Sequence, residues 1–259
     1  MQEPPAVSVV NEHGAAPIVL LCEHAANAIP ARYGNLGLPA AELERHIAYD
    51  IGAAEVARQL AGRLDAPLVL SGYSRLLIDC NRPLDAPGSI PVRSEATDIP
   101  GNMGLSAAER AARDRLFFAP FRARVAALLE QRIAARRPTV LIGMHSFTPV
   151  FLGVARPWQV GVLYHRAHRL ADMLLVALRK DPSLVVGDNE PYRVTPGGDY
   201  TVPWVGEARG LATALFEVRQ DLITEATGVA AWSARLAAVL ARVAADPAAV
   251  AGLDAAACG

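Results

Sequence analysis

Two apolar runs that each end at a histidine constrain this chain more than any other feature of its sequence. The run Ile18–Cys22 is followed at once by Glu23 and His24, and residues 139–144 lead in the same way into His145. Continuous apolar runs of this length are typical of strands that are buried on both faces. In open α/β sheets, ligands bind beyond the carboxyl ends of the strands. The pattern therefore predicts an α/β fold with two histidines at the chemically active edge of its sheet.

Strand-like and helical patterns alternate along the rest of the chain. Further buried strands are predicted at residues 67–70, 76–80, 159–164, 184–186 and 211–218. Helices are predicted at residues 39–43, 51–64, 106–136, 167–180 and 227–244, and a weaker one at 248–257. This alternation predicts a single α/β domain with a largely parallel sheet over residues 17–259, and residues 1–16 are expected to be loosely ordered.

Local signals mark where some of these elements begin or bend. Asp50 is expected to be the N-cap of the helix that follows it. Ser106 and Glu109 have the spacing of a capping box, and Pro120 is expected to kink or divide the long helix because proline lacks an N–H. Residues 83–104 are rich in Pro, Gly, Ser and Asp. They predict a long loop, which in a compact domain is usually functional or mobile.

Composition indicates a folded protein and argues against some partners. Hydrophobic residues make up 52% of the chain and charged residues 20%, as in globular domains. The net charge of −1 gives no electrostatic argument for nucleic acid or for an anionic membrane as a partner. Cys22, Cys80 and Cys258 show no paired spacing, and neither a signal peptide nor an apolar run of membrane-spanning length is recognisable. Together these features predict a soluble, cytoplasmic protein.

The two strand-end histidines are candidate metal ligands. Hydrolytic zinc sites use three protein ligands and leave one position open, and imidazole-rich sites suit zinc best. Asp50 is the preferred third ligand, because Glu23 would point away from His24 if the strand geometry continued. Glu23 and His46 remain alternatives. The sequence thus predicts one divalent metal, zinc, held by His24, Asp50 and His145.

A polar cluster around residues 74–83 suits a small acidic substrate. Arg75 lies at the start of an apolar run, and Asn81 and Arg82 follow its end. Arginine binds carboxylates through a planar fork, and asparagine adds a further donor. The alternative interpretation is a structural ion pair between Asp79 and Arg82.

Glu217, near the end of the run at 211–218, is a candidate general base. A carboxylate beside an activated water can accept its proton and later deliver that proton to a leaving amine. The alternative is a structural acid that pairs with Arg219 or Arg75.

The segment 187–210 is irregular but rich in polar and aromatic residues. Its adjacent Gly197 and Gly198 permit a ligand to approach the backbone closely, so they are expected substrate contacts together with Ser146. The chain contains no phosphate-binding glycine loop and no G-x-S-x-G motif. These absences argue against nucleotide binding and against a serine hydrolase of the α/β-hydrolase type.

Several motifs occur in an order that resembles the N-formylglutamate amidohydrolase family. They are Glu23-His24-Ala25 and the stretches 46–52, 74–83, 144–147, 187–192 and 216–223. The resemblance extends from about residue 17 to residue 223. Because that family is similar in fold to zinc carboxypeptidases and aspartoacylase, it implies a three-layer αβα domain with a mixed, largely parallel sheet.

The resemblance also implies roles for individual residues. His24 and His145 would be metal ligands, and Glu217 would be the general base. The substrate or oxyanion contacts would be Arg75, Asn81 and Arg82. Two departures affect the expected activity: Asn27 stands where carboxypeptidases have the glutamate of an H-x-x-E motif, and Trp204 with Val205 replaces a usually polar or histidine-bearing segment.

These expectations combine into a metal-dependent hydrolase for the amide bond of an N-acyl amino acid. The expected reaction converts N-formyl-L-glutamate to L-glutamate and formate in amino-acid catabolism. The expected partner is therefore a small molecule, and the protein is expected to be a monomer or a small homo-oligomer. One alternative is a non-catalytic protein that binds a carboxylate ligand, which Asn27 and Trp204 favour. The other is a deacylase or peptidase with a different small acidic substrate.

Overall fold

A seven-stranded mixed sheet forms the centre of the protein. The computed structural model describes residues 3–253. The strands, numbered here within this sheet, are β1 Val7–Val10, β2 Ile18–Cys22, β3 Leu68–Ser71, β4 Val140–Phe147, β5 Val160–Leu163, β6 Val186–Asp188 and β7 Thr213–Arg219. Their spatial order is β1-β3-β2-β4-β7-β5-β6.

The central strands run parallel, as the continuous apolar runs predict. β3, β2, β4 and β7 pair in parallel, and β5 pairs with β6 in parallel. β1 pairs antiparallel with β3, and β5 pairs antiparallel with β7. All eight residues of β4 are buried, because this strand lies in the middle of the sheet and helices cover both of its faces.

Helices on both faces complete three layers. They are α1 Ala40–Leu43, α2 Ala53–Leu64, α3 Ala107–Arg113, α4 Ala119–Ala134, α5 His168–Leu178, α6 Ala226–Ala244 and α7 Pro247–Val250. Side chains alternate between the two faces of a strand. Ile18, Leu20 and Cys22 of β2 therefore pack with α2, α5 and α6, whereas Val19 and Leu21 pack with α4 on the other face. The predicted three-layer α/β architecture is confirmed.

The predicted strand at 76–80 is wrong. These residues are buried, but they form turns between β3 and the long loop. The carbonyl oxygen of Leu76 accepts a hydrogen bond from Asn102, and that of Leu77 accepts one from Arg113. An apolar run predicts burial, but it becomes a strand only where a neighbouring strand satisfies its backbone. Here side chains satisfy the backbone instead.

The prediction that Asp50 caps the following helix is also wrong. Helix α2 begins only at Ala53, and its N-cap is Gly52, with a φ of 77° and no side-chain cap. A Cβ at residue 52 would lie 2.2 Å from the carbonyl oxygen of Ile223. Glycine at this position lets the chain turn between Asp50 and α2, and it leaves the Asp50 carboxylate free to point elsewhere.

Other boundaries differ by smaller amounts. Residues Val7–Val10, within the segment expected to be loosely ordered, form the edge strand β1. The predicted helix at 106–136 is divided by a π-helical segment, Asp114–Phe118, and Pro120 lies in the first turn of α4. The Ser106 side chain accepts from the Glu109 N–H, as the capping box predicts.

The chain's last predicted helix is only partly within the described residues. Helix α7 ends at Val250, and residues 254–257 of that prediction, like Cys258, lie outside the described part of the chain. Across residues 3–253, no helix combines the length and the apolar character that a membrane span requires.

Candidate metal centre and substrate cavity

The predicted site residues meet where β2, β4 and β7 end. Glu217 of β7 is in register with His145 of β4, so their side chains lie on the same face of the sheet. The β2 register places Leu21 beside Gly143, which brings the residues after β2 next to His145. Neighbouring parallel strands therefore deliver these groups to one edge, as the sequence predicts.

Two loops beyond that edge are joined by backbone hydrogen bonds. The Asp50 N–H donates to the carbonyl oxygen of His24 at 3.0 Å, and the Arg75 N–H donates to that of Ala48 at 3.2 Å. The Ser74 hydroxyl also donates to the Ala48 carbonyl, at 2.8 Å. These bonds hold the loop after β2 against the loop after β3, so Asp50 and Arg75 are fixed beside the histidines.

His24, Asp50 and His145 converge on one point. Asp50 Oδ2 lies 3.3 Å from His24 Nδ1 and 2.8 Å from His145 Nδ1, and the two Nδ1 atoms are 3.2 Å apart. None of the three residues is more than 4% exposed. A tetrahedral zinc ion with bonds of about 2.0–2.1 Å needs donor atoms about 3.3 Å apart. The triangle therefore fits a divalent metal such as zinc.

A second carboxylate lies behind each histidine. His24 Nε2 is 2.7 Å from Asp79 Oδ1, and His145 Nε2 is 3.2 Å from Glu23 Oε2. The Thr201 hydroxyl donates to the other oxygen of Glu23. Carboxylates in this position hold the proton on Nε2 and leave the Nδ1 lone pair free for a metal. Asp79 and Glu23 thus orient both imidazoles toward the Asp50 carboxylate.

The cluster is a buried acidic cage that favours positive charge. Burial opposes the charged form of His145, but Glu23 raises the pKa of His145 well above its usual range. Burial also opposes the charge on His24, and its two carboxylate neighbours nevertheless raise its pKa. The pKa of Asp50 is lowered despite burial, because both histidines attract its negative charge. A divalent cation can replace the two imidazole protons in such a cage.

Glu217 is the remaining acid at this edge. It is 6% exposed, and its Oε2 has no hydrogen-bond partner among the described residues. Burial, with a contribution from the negative charge of Asp50, raises its pKa to about 7. Glu217 is therefore an unpaired carboxyl whose protonation changes near neutral pH. The alternative role for this acid, an ion pair with Arg219 or Arg75, is not formed; Arg219 pairs with Asp221 instead.

Arg75 bridges two of the acids. Its Nε and Nη2 donate to Asp79 Oδ2 at 3.2 and 2.9 Å, and its Nη1 donates to Asp50 Oδ1 at 3.4 Å. Burial disfavours the guanidinium charge, but Asp79 and Asp50 raise its pKa. The side chain is 24% exposed and lines the cavity. It therefore fixes the two carboxylates and also presents a cationic surface to a ligand.

Asn81 and Arg82, the predicted carboxylate binders, contact the segment 198–201. Asn81 Oδ1 accepts from the N–H groups of Tyr200 and Thr201 at 3.3 and 2.9 Å. Arg82 Nη1 donates to the carbonyl oxygen of Gly198 and, at 3.0 Å, to Asp199 Oδ1. Both residues line the cavity. Their contact with a substrate carboxylate remains a prediction.

The remaining predicted substrate contacts, and the alternative metal ligand His46, differ in their surroundings. Ser146 donates its hydroxyl to the Ile51 carbonyl at 2.8 Å, and its N–H lies 3.3 Å from Asp50 Oδ2. Gly197 and Gly198 line the cavity. His46 also lines it, but the Nε2 of His46 faces Glu95 at 3.2 Å. His46 therefore stands outside the triangle of candidate metal ligands.

A cavity of about 600 Å³ is lined by the three candidate metal ligands, Glu217 and the predicted substrate contacts. That volume is ordinary for a small-molecule site. Its walls come from the loop before α3, the strand ends and the segment 192–199. The long loop at 83–104, expected to be functional or mobile, forms one of these walls.

The two departures from the family pattern lie away from the triangle. Asn27 is half-buried, and its side chain donates to the Leu43 carbonyl at 3.0 Å. Val205 is buried in the core on the α4 side of the sheet. Trp204 is 52% exposed, and its indole N–H donates to the Pro196 carbonyl at 2.9 Å. Neither Trp204 nor Val205 lines the cavity.

Sequence reasoning missed some of the site. The pattern indicates only an ion pair with Arg82 for Asp79 and only a possible metal ligand in Glu23, whereas each of these acids faces a histidine in the structure. A carboxylate that adjoins a candidate ligand in sequence, as Glu23 does, is a usable signal for such a partner. Thr201 and Asp199 carry no comparable signal, because the loop that places them has no regular pattern.

Comparisons with known proteins identify a family and a shared fold. The N-formylglutamate amidohydrolase family model matches residues 16–224. A gene product of Agrobacterium tumefaciens with a crystal structure is 40% identical, with a TM-score of 0.89 over 93% of this chain and 95% of that one. An N-formylglutamate amidohydrolase from Ralstonia eutropha is 18% identical, with a TM-score of 0.69 over 92% of this chain and 97% of that one.

The similarity to the Ralstonia eutropha protein shows only a shared fold. Among curated proteins, none matches the chain. The family model spans all the strands of the sheet except β1, and it includes every candidate site residue. The chain belongs to the N-formylglutamate amidohydrolase family.

Proposed function

We propose that the protein is a zinc-dependent amidohydrolase that cleaves an N-acyl amino acid, with N-formyl-L-glutamate as its substrate. One observation carries the proposal. Two imidazole nitrogens and one carboxylate oxygen converge within 3.3 Å of one another, and the unpaired carboxyl of Glu217 shares their cavity. Family membership supports the choice of a formylated amino acid.

His24, Asp50 and His145 would hold the metal. Zinc in such a site acts as a Lewis acid that polarises a carbonyl oxygen and makes water more acidic. Asp79 and Glu23 keep the proton of each imidazole on Nε2, away from the metal side. The Ser146 N–H at 3.3 Å from Asp50 Oδ2 and the Arg75 guanidinium hold the Asp50 carboxylate in its orientation.

Glu217 would move the proton. A base is most effective when its pKa lies near the working pH, and burial raises that of Glu217 to about 7. Its carboxylate would take a proton from the attacking water and then protonate the nitrogen of the departing amino acid. Because Oε2 has no partner among the described residues, no existing hydrogen bond must break first.

Two of the arginines that line the cavity, Arg75 and Arg82, would divide the substrate's negative charges. Arg75 is held beside Asp50, a candidate metal ligand, so it would lie near the reacting carbonyl and would stabilise the developing oxyanion. Arg82 contacts Gly198 and Asp199. It would bind a carboxylate of the substrate. The positions of Asn27 and Val205 away from the triangle support an enzyme over a non-catalytic binding protein.

Hydrolysis of a small substrate panel tests the proposal. Purified protein with added zinc is incubated with N-formyl-L-glutamate, N-acetyl-L-glutamate, N-formyl-L-alanine and glutamyl dipeptides, and release of the free amino group is measured. We expect the largest kcat/KM for N-formyl-L-glutamate. A clear preference for a dipeptide would make the protein a peptidase, and no turnover of any substrate would contradict an enzymatic function.

A further inference from the structure

The loop Thr195–Asp199, named here the Asp199 loop, adjoins Arg82 at the cavity wall. Arg82 Nη1 donates to the Gly198 carbonyl and, at 3.0 Å, to Asp199 Oδ1. Thr195 and Asp199 both line the cavity beside Arg82. The loop therefore engages Nη1 of the guanidinium. The remaining donors are Nε and Nη2.

Asp199 is itself held rigidly by its own loop. Its Oδ2 accepts from the Thr195 N–H at 2.9 Å, and its N–H donates to the Thr195 carbonyl at 2.8 Å. The Gly198 N–H closes a second turn onto the same carbonyl at 3.0 Å. Both carboxylate oxygens are thus engaged, one by the loop and one by Arg82, so Asp199 is placed before any ligand arrives.

The contacts to Nη1 leave one edge of Arg82 available. The Arg82 Nε lies 4.0 Å from Asp79 Oδ2, an ion-pair distance that is too long for a hydrogen bond. Within residues 3–253, neither Nε nor Nη2 of Arg82 donates a hydrogen bond, and the side chain is 30% exposed. A guanidinium binds a carboxylate with two parallel N–H groups, and the Nε–Nη2 edge supplies such a pair.

Two side chains anchor the loop at its ends. The Trp204 indole N–H donates to the Pro196 carbonyl at 2.9 Å. Asn81 accepts from Tyr200 and Thr201 through its side-chain oxygen, and its backbone carbonyl accepts from Tyr200 at 3.0 Å. Trp204, which departs from the family pattern, is therefore tied to the loop that orients Arg82.

We propose that Asp199 is a positioning residue that turns the Nε–Nη2 edge of Arg82 toward a carboxylate of the substrate, and that Trp204 anchors its loop. This inference rests on the proposed function, in which Arg82 binds that carboxylate. It assigns to Asp199 and Trp204 an effect on substrate affinity and none on bond cleavage. The opposite arrangement, in which Asp199 competes with the substrate for Arg82, predicts an effect of opposite sign.

Steady-state kinetics of Asp199→Ala, Asp199→Asn and Trp204→Phe separate these cases. We expect Asp199→Ala to raise KM for N-formyl-L-glutamate about tenfold to hundredfold with kcat nearly unchanged, since a misplaced charged contact has effects of this size. Asparagine keeps one acceptor, so its increase should be smaller. Trp204→Phe removes one neutral hydrogen bond and should raise KM about twofold to fivefold.

A matched control and modified substrates sharpen the test. Asp181→Asn breaks an Asp–Arg pair of similar length, 3.1 Å to Arg235, outside the residues that line the cavity, and it should leave KM unchanged. With N-formyl-L-glutamine and with the α-amide of N-formyl-L-glutamate, the Asp199→Ala penalty should vanish for whichever compound lacks the carboxylate that Arg82 binds. A lower KM in Asp199→Ala, or an equal penalty on all substrates, overturns the proposal.

Binding of glutarate, measured by calorimetry, keeps this inference separable from the proposed function. If the wild type hydrolyses N-formyl-L-glutamate but Asp199→Ala changes neither KM nor glutarate affinity, only the role of Asp199 is wrong. If the wild type is inactive but glutarate binding weakens in Asp199→Ala, the proposed reaction is wrong and the role of Asp199 stands. A wild type that neither reacts nor binds glutarate overturns both.

Discussion

Two buried polar clusters of this protein differ in how completely they are satisfied. The first, called here the Arg113 cluster, surrounds a guanidinium that is 1% exposed. Its Nε donates to Glu109, its Nη1 to Leu77 and Asn102, and its Nη2 to the Gly101 carbonyl, at 2.7–3.2 Å. Among the described residues, neither Arg113 nor Asn102 has a buried atom without a partner.

The second is the site cluster at the ends of β2, β4 and β7. It contains Glu23, Asp50, Asp79 and Glu217, together with two histidines whose pKa values are raised and the guanidinium of Arg75. Glu23 Oε2 and His145 Nε2 face each other at 3.2 Å, whereas the buried Glu217 Oε2 has no hydrogen-bond partner among the described residues. An unpaired buried carboxyl such as that of Glu217 would be costly in a purely structural cluster.

The completeness of hydrogen bonding therefore distinguishes a structural network from a functional one. The Arg113 cluster closes the loop 76–102 by matching each donor with an acceptor, so it needs no further component. The site cluster leaves Glu217 unpaired, and its two histidines converge with Asp50 on a position that a cation could occupy. Variants in the two clusters should therefore separate stability from activity.

The largest expected effect is on catalysis. Glu217→Gln should lower kcat for N-formyl-L-glutamate by about 10²–10⁴-fold, the usual range for loss of a general base, because the amide cannot accept the proton from water. Zinc content, measured in parallel, should be unchanged. Glu130→Gln, an exposed acid paired with Arg209, is the control and should keep full activity. Near wild-type turnover by Glu217→Gln with zinc bound would contradict the mechanism.

The next largest effect is on stability. Arg113→Met should lower the free energy of unfolding by about 3–5 kcal/mol, because it leaves the buried Asn102 oxygen and two carbonyls without a donor. Urea denaturation measures this loss. Arg93→Met breaks an exposed pair with Asp98 and should cost no more than about 1 kcal/mol. Equal losses in the two variants would mean that the Arg113 cluster does not stabilise the loop.

A smaller effect should depend on pH. The pKa of Glu217 is raised in the folded protein from 4.5 to about 7, so its burial costs little below pH 4.5, where the carboxyl is neutral in both states. The cost grows as pH rises and reaches about 3 kcal/mol above pH 7. In protein stripped of metal, Glu217→Gln should therefore be more stable than wild type at pH 8, and the gain should shrink toward pH 5.

Thermal or urea denaturation of the two proteins at several pH values measures this dependence. The difference between them should rise between pH 5 and 7 and then level off. A gain that is independent of pH would mean that the substitution acts through packing rather than through removal of a buried charge.

The sequence predicted much of the fold because burial alone decides the central strands. The apolar run Ile18–Cys22 is a buried strand as predicted, and the strand predicted at 139–144 extends through His145 to Phe147. The same apolar signal failed at residues 76–80, where burial is real but the backbone is satisfied by Asn102 and Arg113. Those partners come from distant segments, which local patterns do not reveal.

The part of the site that lies at strand ends could be predicted from the sequence. His24, His145 and Glu217 follow from apolar runs that stop at one edge of a parallel sheet. Asp50 lies in a loop, and its place beside the histidines depends on the turn at Gly52 and on backbone bonds to His24. The loop at 195–199 carries no periodic pattern, so the contact between Asp199 and Arg82 could come only from the three-dimensional structure.

The most direct test of the central claim is the metal content of the purified protein. Elemental analysis of the wild type is compared with that of Asp50→Asn and His145→Ala after equilibration with zinc and removal of excess. We predict about one zinc per chain in the wild type and almost none in either variant, with folding of each verified by circular dichroism. A folded wild type that retains no zinc yet hydrolyses N-formyl-L-glutamate, or an Asp50→Asn variant that retains full zinc, would contradict the claim that His24, Asp50 and His145 form the metal centre.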